Sequence, residues 1–110
     1  MGASRYRISS TTDLAPILKR VLYMIVEHFR DGAAEDVYRR FRQRGRLAPA
    51  GLDYLASWVE LDYSRCYQVM ATDDRSLLEQ WMAQWDDLID FEVRPVMTSA
   101  DAAAAIAPRL

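Results

Sequence analysis

The stretch from Val21 to Phe29, VLYMIVEHF, contains the first strong β-strand signal of the chain. Its density of β-branched and aromatic side chains predicts a β-strand, and the turn-forming run Arg30-Asp31-Gly32 ends it. Successive side chains of a strand point to opposite faces, so this run carries two sets of residues. The two sets are Tyr23, Ile25 and Glu27, and Met24, Val26 and His28.

Outward from this strand, the pattern alternates between helical and extended segments. Gly45 follows the first helical segment, where a helix commonly ends, and Asp62-Tyr63-Ser64 joins two later strands at hairpin length. The order β-α-β-β-α-β predicts an α+β fold, the ferredoxin-like plait, with an antiparallel sheet and both helices on one face. The predicted elements are a strand at 21–29, a helix at 33–44, strands at 53–61 and 65–71, a helix at 75–89, a strand at 91–97 and a short helix at 99–107.

The second helix is the most regular segment of the chain. Leu78, Trp81, Trp85 and Leu88 recur at spacings of 3, 4 and 3 residues, which is typical of an amphipathic helix. We predict that Trp81 and Trp85 anchor the core, each contributing about 2–3 kcal/mol through burial.

Length and charge narrow the range of functions. A chain of 110 residues has room for one domain, which we place at residues 21–110, preceded by a loosely ordered extension at residues 1–20. The formal net charge of -2 disfavours general nucleic-acid binding. The lone Cys66 cannot form an internal disulfide, and the sequence has no metal-binding motif and no apolar run that could span a bilayer. We therefore expect a cytoplasmic protein that binds neither nucleic acid nor membrane, with no metal and no cofactor.

One face of the sheet needs a cover if both helices lie on the other. Alternation suggests that the Tyr67, Val69 and Ala71 side of the third strand faces the helices. The opposite side of the sheet mixes aromatic and charged groups, which suits an interface better than a solvated surface. We therefore predict a two-fold homodimer whose two sheets close a barrel around a partly polar lumen. The lumen side comprises Tyr54, Trp58, Glu60, Cys66, Gln68, Glu92 and Arg94.

Several runs of the sequence resemble a bacterial family of unknown function in the dimeric α/β-barrel superfamily. The resemblance covers about residues 21–108, and the two tryptophans leading into Asp-Phe-Glu are its most specific feature. The runs that carry it are Leu22 to Phe29, Val37 to Phe41, Gly45 to Leu52, Tyr54 with Ser57-Trp58, Arg65 to Met70, Thr72 to Asp74, Trp81 with Trp85 to Leu88, and Asp90 to Val93.

The resemblance implies the dimeric barrel and leaves the activity open. The superfamily includes small cofactor-free monooxygenases, haem-handling enzymes, isomerases and proteins without known activity, and a fold alone does not set function. Our leading hypothesis is a homodimer that binds a small ligand in the lumen. The alternatives are a cofactor-independent monooxygenase or isomerase of the same fold, and a structural interaction module.

The candidate site residues follow from the predicted lumen. Glu27, Glu60, Glu92 and Arg94 could meet there, where paired carboxylates can act as acid or base and an arginine can hold an anion. A structural ion pair is the simpler interpretation of the same charges. The predicted ligand-binding residues are Tyr54, Trp58, Glu60, Gln68, Glu92 and Arg94.

The catalytic candidates are His28 and Glu92. His28 is the single histidine, so it is the first candidate for a general base, with an ordinary hydrogen bond as the simpler interpretation. We predict that Cys66 is a buried core thiol rather than a nucleophile. The arginines at 39, 40, 42, 44 and 46 could bind phosphates, but pairing with the acidic second helix explains them without a ligand.

Overall fold

The computed structural model describes residues 20–110, and it has the predicted order β-α-β-β-α-β. The predicted ferredoxin-like α+β fold is confirmed. The extension predicted at residues 1–20 lies, except for Arg20, outside the described residues. The elements are β1 (Val21–Phe29), α1 (Ala34–Arg44), β2 (Asp53–Val59), β3 (Arg65–Thr72), α2 (Arg75–Ala83), β4 (Ile89–Val96), α3 (Ser99–Ile106) and a 3-10 turn (Ala107–Arg109).

The four strands form one antiparallel sheet in the order β2-β3-β1-β4. Ile25 of β1 lies opposite Gln68 of β3 on one side and Val93 of β4 on the other. Because directly paired residues point to the same face, this register defines a helix face, which packs under α1 and α2, and an open face. The buried cluster under the helices is Tyr23, Ile25, Val37, Leu52, Met70, Leu78, Trp81, Trp85 and Ile89.

The assignment of β3 to the two faces was predicted the wrong way round. Cys66, Gln68 and Met70 lie on the helix face, whereas Tyr67 and Val69 lie on the open face. Both sides of this strand are largely apolar, so alternation alone could not choose between them. Pairing with β1 decides the register, and it sets Gln68 beside a second buried polar residue of the helix face, Glu27.

A β-bulge at Leu55 interrupts β2. Tyr54 pairs with Met70 and Ala56 pairs with Val69, so Leu55 is the extra residue between them. The bulge returns Tyr54 and Ser57 to the same face, where their side-chain oxygens lie 2.7 Å apart. The simple alternation predicted for this strand is therefore wrong before Ala56.

Helix α2 is shorter than predicted and ends at Ala83 rather than near residue 89. The next residues form a tight turn in which the Gln84 amide donates to the Trp81 carbonyl and the Leu88 amide to the Trp85 carbonyl. The turn allows β4 to begin at Ile89, so it leads directly from the helix into the sheet edge. Trp85 stays buried at this turn, as the periodicity indicated.

Pairing between arginines and the acidic second helical segment is confirmed for Arg40. Its guanidinium donates to both carboxylate oxygens of Asp87, at 2.8 and 2.7 Å. It also lies 5.4 Å from the ring centroid of Trp85. Arg39 instead pairs with Asp36 one turn away in α1.

No helix within residues 20–110 is long and apolar enough to cross a membrane.

Gly51 provides a test of how the α1–β2 loop is held. Its φ is +96°, and a Cβ placed there would lie 2.8 Å from Cδ1 of Leu77. We expect Gly51→Ala to lower the free energy of unfolding by roughly 1–2 kcal/mol, because backbone strain adds to an overlap that the flexible end of Leu77 relieves only in part. Gly32→Ala is the matched control, since Gly32 also has a positive φ but has open space around it; its expected loss is roughly 1 kcal/mol. Equal losses in urea unfolding would contradict the role given to the Leu77 contact.

Candidate functional site

A cavity of about 150 Å³ lies between α1 and the helix face of the sheet. It is partly open to solvent. Most of its wall is apolar and aromatic, and two charged side chains, Glu27 and Arg46, reach it. A cavity with an apolar wall and a few convergent polar groups is the usual form of a small-molecule site. The lining residues are Glu27, Phe29, Val37, Tyr38, Phe41, Arg46, Ser57, Val59, Cys66, Trp81, Trp85 and Ile89.

The loop after α1 brings Arg46 to this cavity. Helix α1 ends at Gly45, which has a φ of 76° and donates its amide to the Phe41 carbonyl at 2.8 Å. The carbonyl oxygen of Arg46 then accepts hydrogen bonds from the indole N–H groups of Trp81 and Trp85, each at 3.0 Å. Two buried donors thus converge on one backbone atom, which fixes the position of the loop.

The Arg46 side chain contacts two aromatic rings and a buried amide. Its guanidinium carbon is 3.8 Å from the ring centroid of Tyr54 and 5.3 Å from that of Phe41. Nη1 donates to Oε1 of Gln68 at 2.7 Å. These contacts hold a cation at the cavity and place aromatic rings near its guanidinium.

Gln68 connects Arg46 to Glu27. Its side chain is 1% exposed, and its Nε2 donates to Oε2 of Glu27. A guanidinium can only donate and an ionised carboxylate can only accept, so this arrangement fixes which end of the Gln68 amide faces each partner. The result is a chain of hydrogen bonds from Arg46 through Gln68 to Glu27.

Glu27 is the carboxyl group most altered by its surroundings. It is 6% exposed. Burial raises the pKa of Glu27 from 4.5 to about 7, although the charge of Arg46 and the hydrogen bonds from Gln68 and Cys66 act in the opposite direction. A carboxyl group with this pKa can both accept and donate a proton near neutral pH.

Cys66 lies beside Glu27 and remains a thiol. Burial, followed by the nearby charge of Glu27, raises the pKa of Cys66 to about 12. Since the thiolate is the nucleophilic form, this environment opposes nucleophilic chemistry. The interpretation of Cys66 as a buried core thiol is confirmed.

The six predicted ligand-binding residues do not share one face, which corrects the predicted lumen set. Tyr54 and Gln68 lie on the helix face beside the cavity. Trp58 lies on the open face opposite Tyr67, and Glu60 accepts the Tyr67 hydroxyl at 2.5 Å. The remaining two predicted residues, Glu92 and Arg94, are also on the open face.

The catalytic candidates His28 and Glu92 lie together on the open face. His28 Nε2 donates to Oε1 of Glu92 at 2.9 Å, and Arg94 lies 3.6 Å from the second oxygen of Glu92. The hydrogen bond from His28 lowers the pKa of Glu92. Both side chains are substantially exposed and are remote from the cavity face, so their catalytic role stays a prediction.

The predicted meeting of Glu27 with the other lumen carboxylates is wrong, because Glu27 lies on the helix face and Glu60 and Glu92 lie on the open face. Sequence reasoning also missed Arg46, which it grouped with the surface arginines of α1. The sequence did contain one indication that Glu27 has a buried partner. Glu27 shares a strand face with Tyr23 and Ile25, and a carboxylate on an apolar face needs a buried partner.

The structure thus defines a ferredoxin-like α+β protein with a small, mainly apolar cavity between its helices and its sheet. A family model described as a domain of unknown function, DUF3303, matches residues 21–110. The chain belongs to this family. No curated protein matches the chain in sequence.

Two solved structures resemble the chain in three dimensions. A candidate monooxygenase from Lactobacillus acidophilus NCFM has a TM-score of 0.47 and 14% identity, with 72% of this chain and 44% of that protein covered. The protein PA3566 from Pseudomonas aeruginosa has a TM-score of 0.47 and 18% identity, with 71% of this chain and 93% of that protein covered. The chain therefore spans less than half the length of the Lactobacillus protein, and at these identities neither structure indicates what it binds.

Glu27 predicts an unusual dependence of stability on pH. Because the pKa of Glu27 is about 7 in the folded state and 4.5 otherwise, the folded protein holds a proton that the unfolded chain releases between these values. The resulting stabilisation is complete below pH 4.5 and is lost as the pH rises through 7. At 1.36 kcal/mol per pKa unit, we expect the wild type to lose about 2.5 kcal/mol more than Glu27→Gln between pH 5 and pH 8.

Urea unfolding at the two pH values measures this difference. Glu35→Gln is the matched control, because Glu35 is an exposed carboxyl group of α1, and we expect its profile to follow the wild type. Parallel profiles for the wild type and Glu27→Gln would show that Glu27 does not titrate near neutrality.

Proposed function

We propose that this protein binds a small, largely apolar molecule of about one aromatic ring in the cavity between α1 and the sheet. The observation that carries the proposal is the cavity itself, which combines aromatic walls with one buried carboxyl group and one fixed cation. A cavity of about 150 Å³ is enough for benzene in another protein. The polar groups would orient the ligand, and the apolar wall would supply most of the affinity.

The ligand site proposed here differs from the predicted lumen. Apolar lining is concentrated around the cavity on the helix face, whereas the open face combines half-buried apolar side chains with exposed ion pairs. Phe29, Val37 and Ile89 supply apolar wall close to Glu27. This combination favours the helix-side cavity for a ring-sized ligand.

We also propose that the protein is a homodimer formed through the open face. Leu22, Met24 and Val26 of β1 are only partly buried there, and Trp58 is 60% exposed. An apolar surface of this kind favours a protein partner over water. Both signs of charge, in Glu92 and Arg94, occur on the same face, so a second copy rotated by 180° can pair unlike charges.

A proton-transfer enzyme of the isomerase class is the second candidate. The observation that favours it is Glu27, because a buried carboxyl group with a pKa of about 7 can remove a proton from a ligand and return it elsewhere. The monooxygenase and the structural interaction module stay alternative hypotheses.

Filling the cavity tests the ligand site. Val59→Phe adds a ring where Val59 lines the cavity, and we expect it to weaken binding of the neutral probe benzamide at least tenfold by steric exclusion. Val21→Phe is the matched control. Val21 lies at the start of β1, at the opposite end from Glu27, and it does not line the cavity. Titration calorimetry measures both variants, and native mass spectrometry of the purified protein reports any ligand carried from the cell. Benzamide binding that is equal in both variants would contradict this site.

A charge on the open face tests the dimer. Val69 lies opposite Met24 on the two central strands, so Val69→Asp would bury a carboxylate at the centre of the proposed interface. We expect the wild type to sediment as a dimer at micromolar concentration and the variant as a folded monomer. Leu61→Asp is the control, because Leu61 is 99% exposed in the β2–β3 turn. A monomeric wild type would remove the proposed interface.

A further inference from the structure

The charges that face the cavity reduce to one pair. Glu27 is faced by Arg46 from the α1–β2 loop, Cys66 from β3 and Tyr38 from α1. Burial raises the pKa of Cys66 to about 12 and also raises the pKa of Tyr38, so both groups are neutral near pH 7. Among the described lining residues, Glu27 and Arg46 therefore carry the charge.

The net charge of the cavity wall is zero or positive, depending on whether Glu27 is ionised or protonated. With Glu27 ionised, its negative charge balances Arg46. With Glu27 protonated, the cation of Arg46 is left unbalanced in a mainly apolar wall, where an uncompensated charge is costly. An anionic ligand would restore the balance.

The geometry of Arg46 suits such an anion. Within residues 20–110, Gln68 accepts the single hydrogen bond that the Arg46 guanidinium donates, whereas a guanidinium has five N–H donors. The rings of Tyr54 and Phe41 lie near this guanidinium, and its remaining donors lie in the plane of the group. Two parallel donors in one plane are the arrangement that binds a carboxylate.

We propose that the cavity binds a ring-sized organic acid as its anion, with the carboxylate on Arg46 and one proton taken up by Glu27. This inference rests on the proposed ligand site and adds the chemical class of the ligand. The proton comes from solvent to a carboxylate oxygen of Glu27, and no other bond is made or broken. The protonated oxygen can then donate a hydrogen bond to the bound anion.

The coupling has a definite sign. In the free protein Glu27 is largely protonated at pH 6 and largely ionised at pH 8, because burial sets its pKa at about 7. A carboxylic acid free in solution is ionised at both pH values. The affinity for the anion is therefore expected to be about tenfold lower at pH 8 than at pH 6, since binding at pH 8 must first protonate Glu27.

Benzoate and its neutral isostere benzamide are the probes. We expect calorimetry to give about tenfold tighter benzoate binding at pH 6 than at pH 8, and no such change for benzamide. Titrations at pH 8 in two buffers of different ionisation enthalpy should show nearly one proton taken up per benzoate bound. In Glu27→Gln the pH dependence and the proton uptake should both disappear.

Arg46→Met tests the anion contact. We expect it to weaken benzoate binding at least tenfold more than it weakens benzamide binding. Arg42→Met is the matched control, because Arg42 is an exposed arginine of α1 outside the cavity lining, and it should leave both affinities unchanged. Thermal melting followed by circular dichroism verifies that each variant is folded.

The remaining outcomes separate the two levels of the proposal. Benzamide binding without benzoate binding, or benzoate binding without proton uptake, would overturn the organic-acid inference and leave the ring-sized ligand site standing. Binding of neither probe would overturn both.

Discussion

The cavity depends on one convergent hydrogen-bond arrangement, in which the indoles of Trp81 and Trp85 both donate to the carbonyl of Arg46. The tryptophans are core residues of α2 and of the turn after it, so they connect this segment to the α1–β2 loop. Since an unsatisfied indole N–H in the core would be costly, the loop cannot leave this position without a penalty. The position of the Arg46 side chain follows from this backbone anchor.

The loop anchor in turn explains why a carboxylate is tolerated under the helices. Glu27 is buried on the same strand face as Tyr23 and Ile25, and an isolated charge there would be strongly destabilising. Arg46 supplies the opposite charge, and Gln68 carries hydrogen bonds between the two groups. Burial still raises the pKa of Glu27 to about 7, so the compensation is partial. Partial compensation is what leaves this group able to titrate near neutral pH.

The sequence was sufficient for the fold and insufficient for the site. Strand β1 occupies the predicted residues, because its long apolar run has no competing interpretation. The faces of β3 could not be assigned, since Cys66 to Ala71 is largely apolar on both sides and only pairing with β1 sets its register. The bulge at Leu55 has no glycine to signal it, and it moved Tyr54 to the opposite face from Trp58. Arg46 resembled its neighbours on α1 because its distinguishing contacts are made by residues far along the chain.

The two faces of the sheet give this fold two separable surfaces. On the helix face, side chains from β1, β3 and the α1–β2 loop form a chain of polar contacts beside a cavity. On the open face, partly buried apolar side chains lie between exposed ion pairs such as His28 with Glu92. Adjacent residues of β1, Glu27 and His28, belong to different surfaces because a strand alternates its side chains. A change in the proposed ligand site can therefore leave the proposed interface intact, although the two surfaces are one residue apart in sequence.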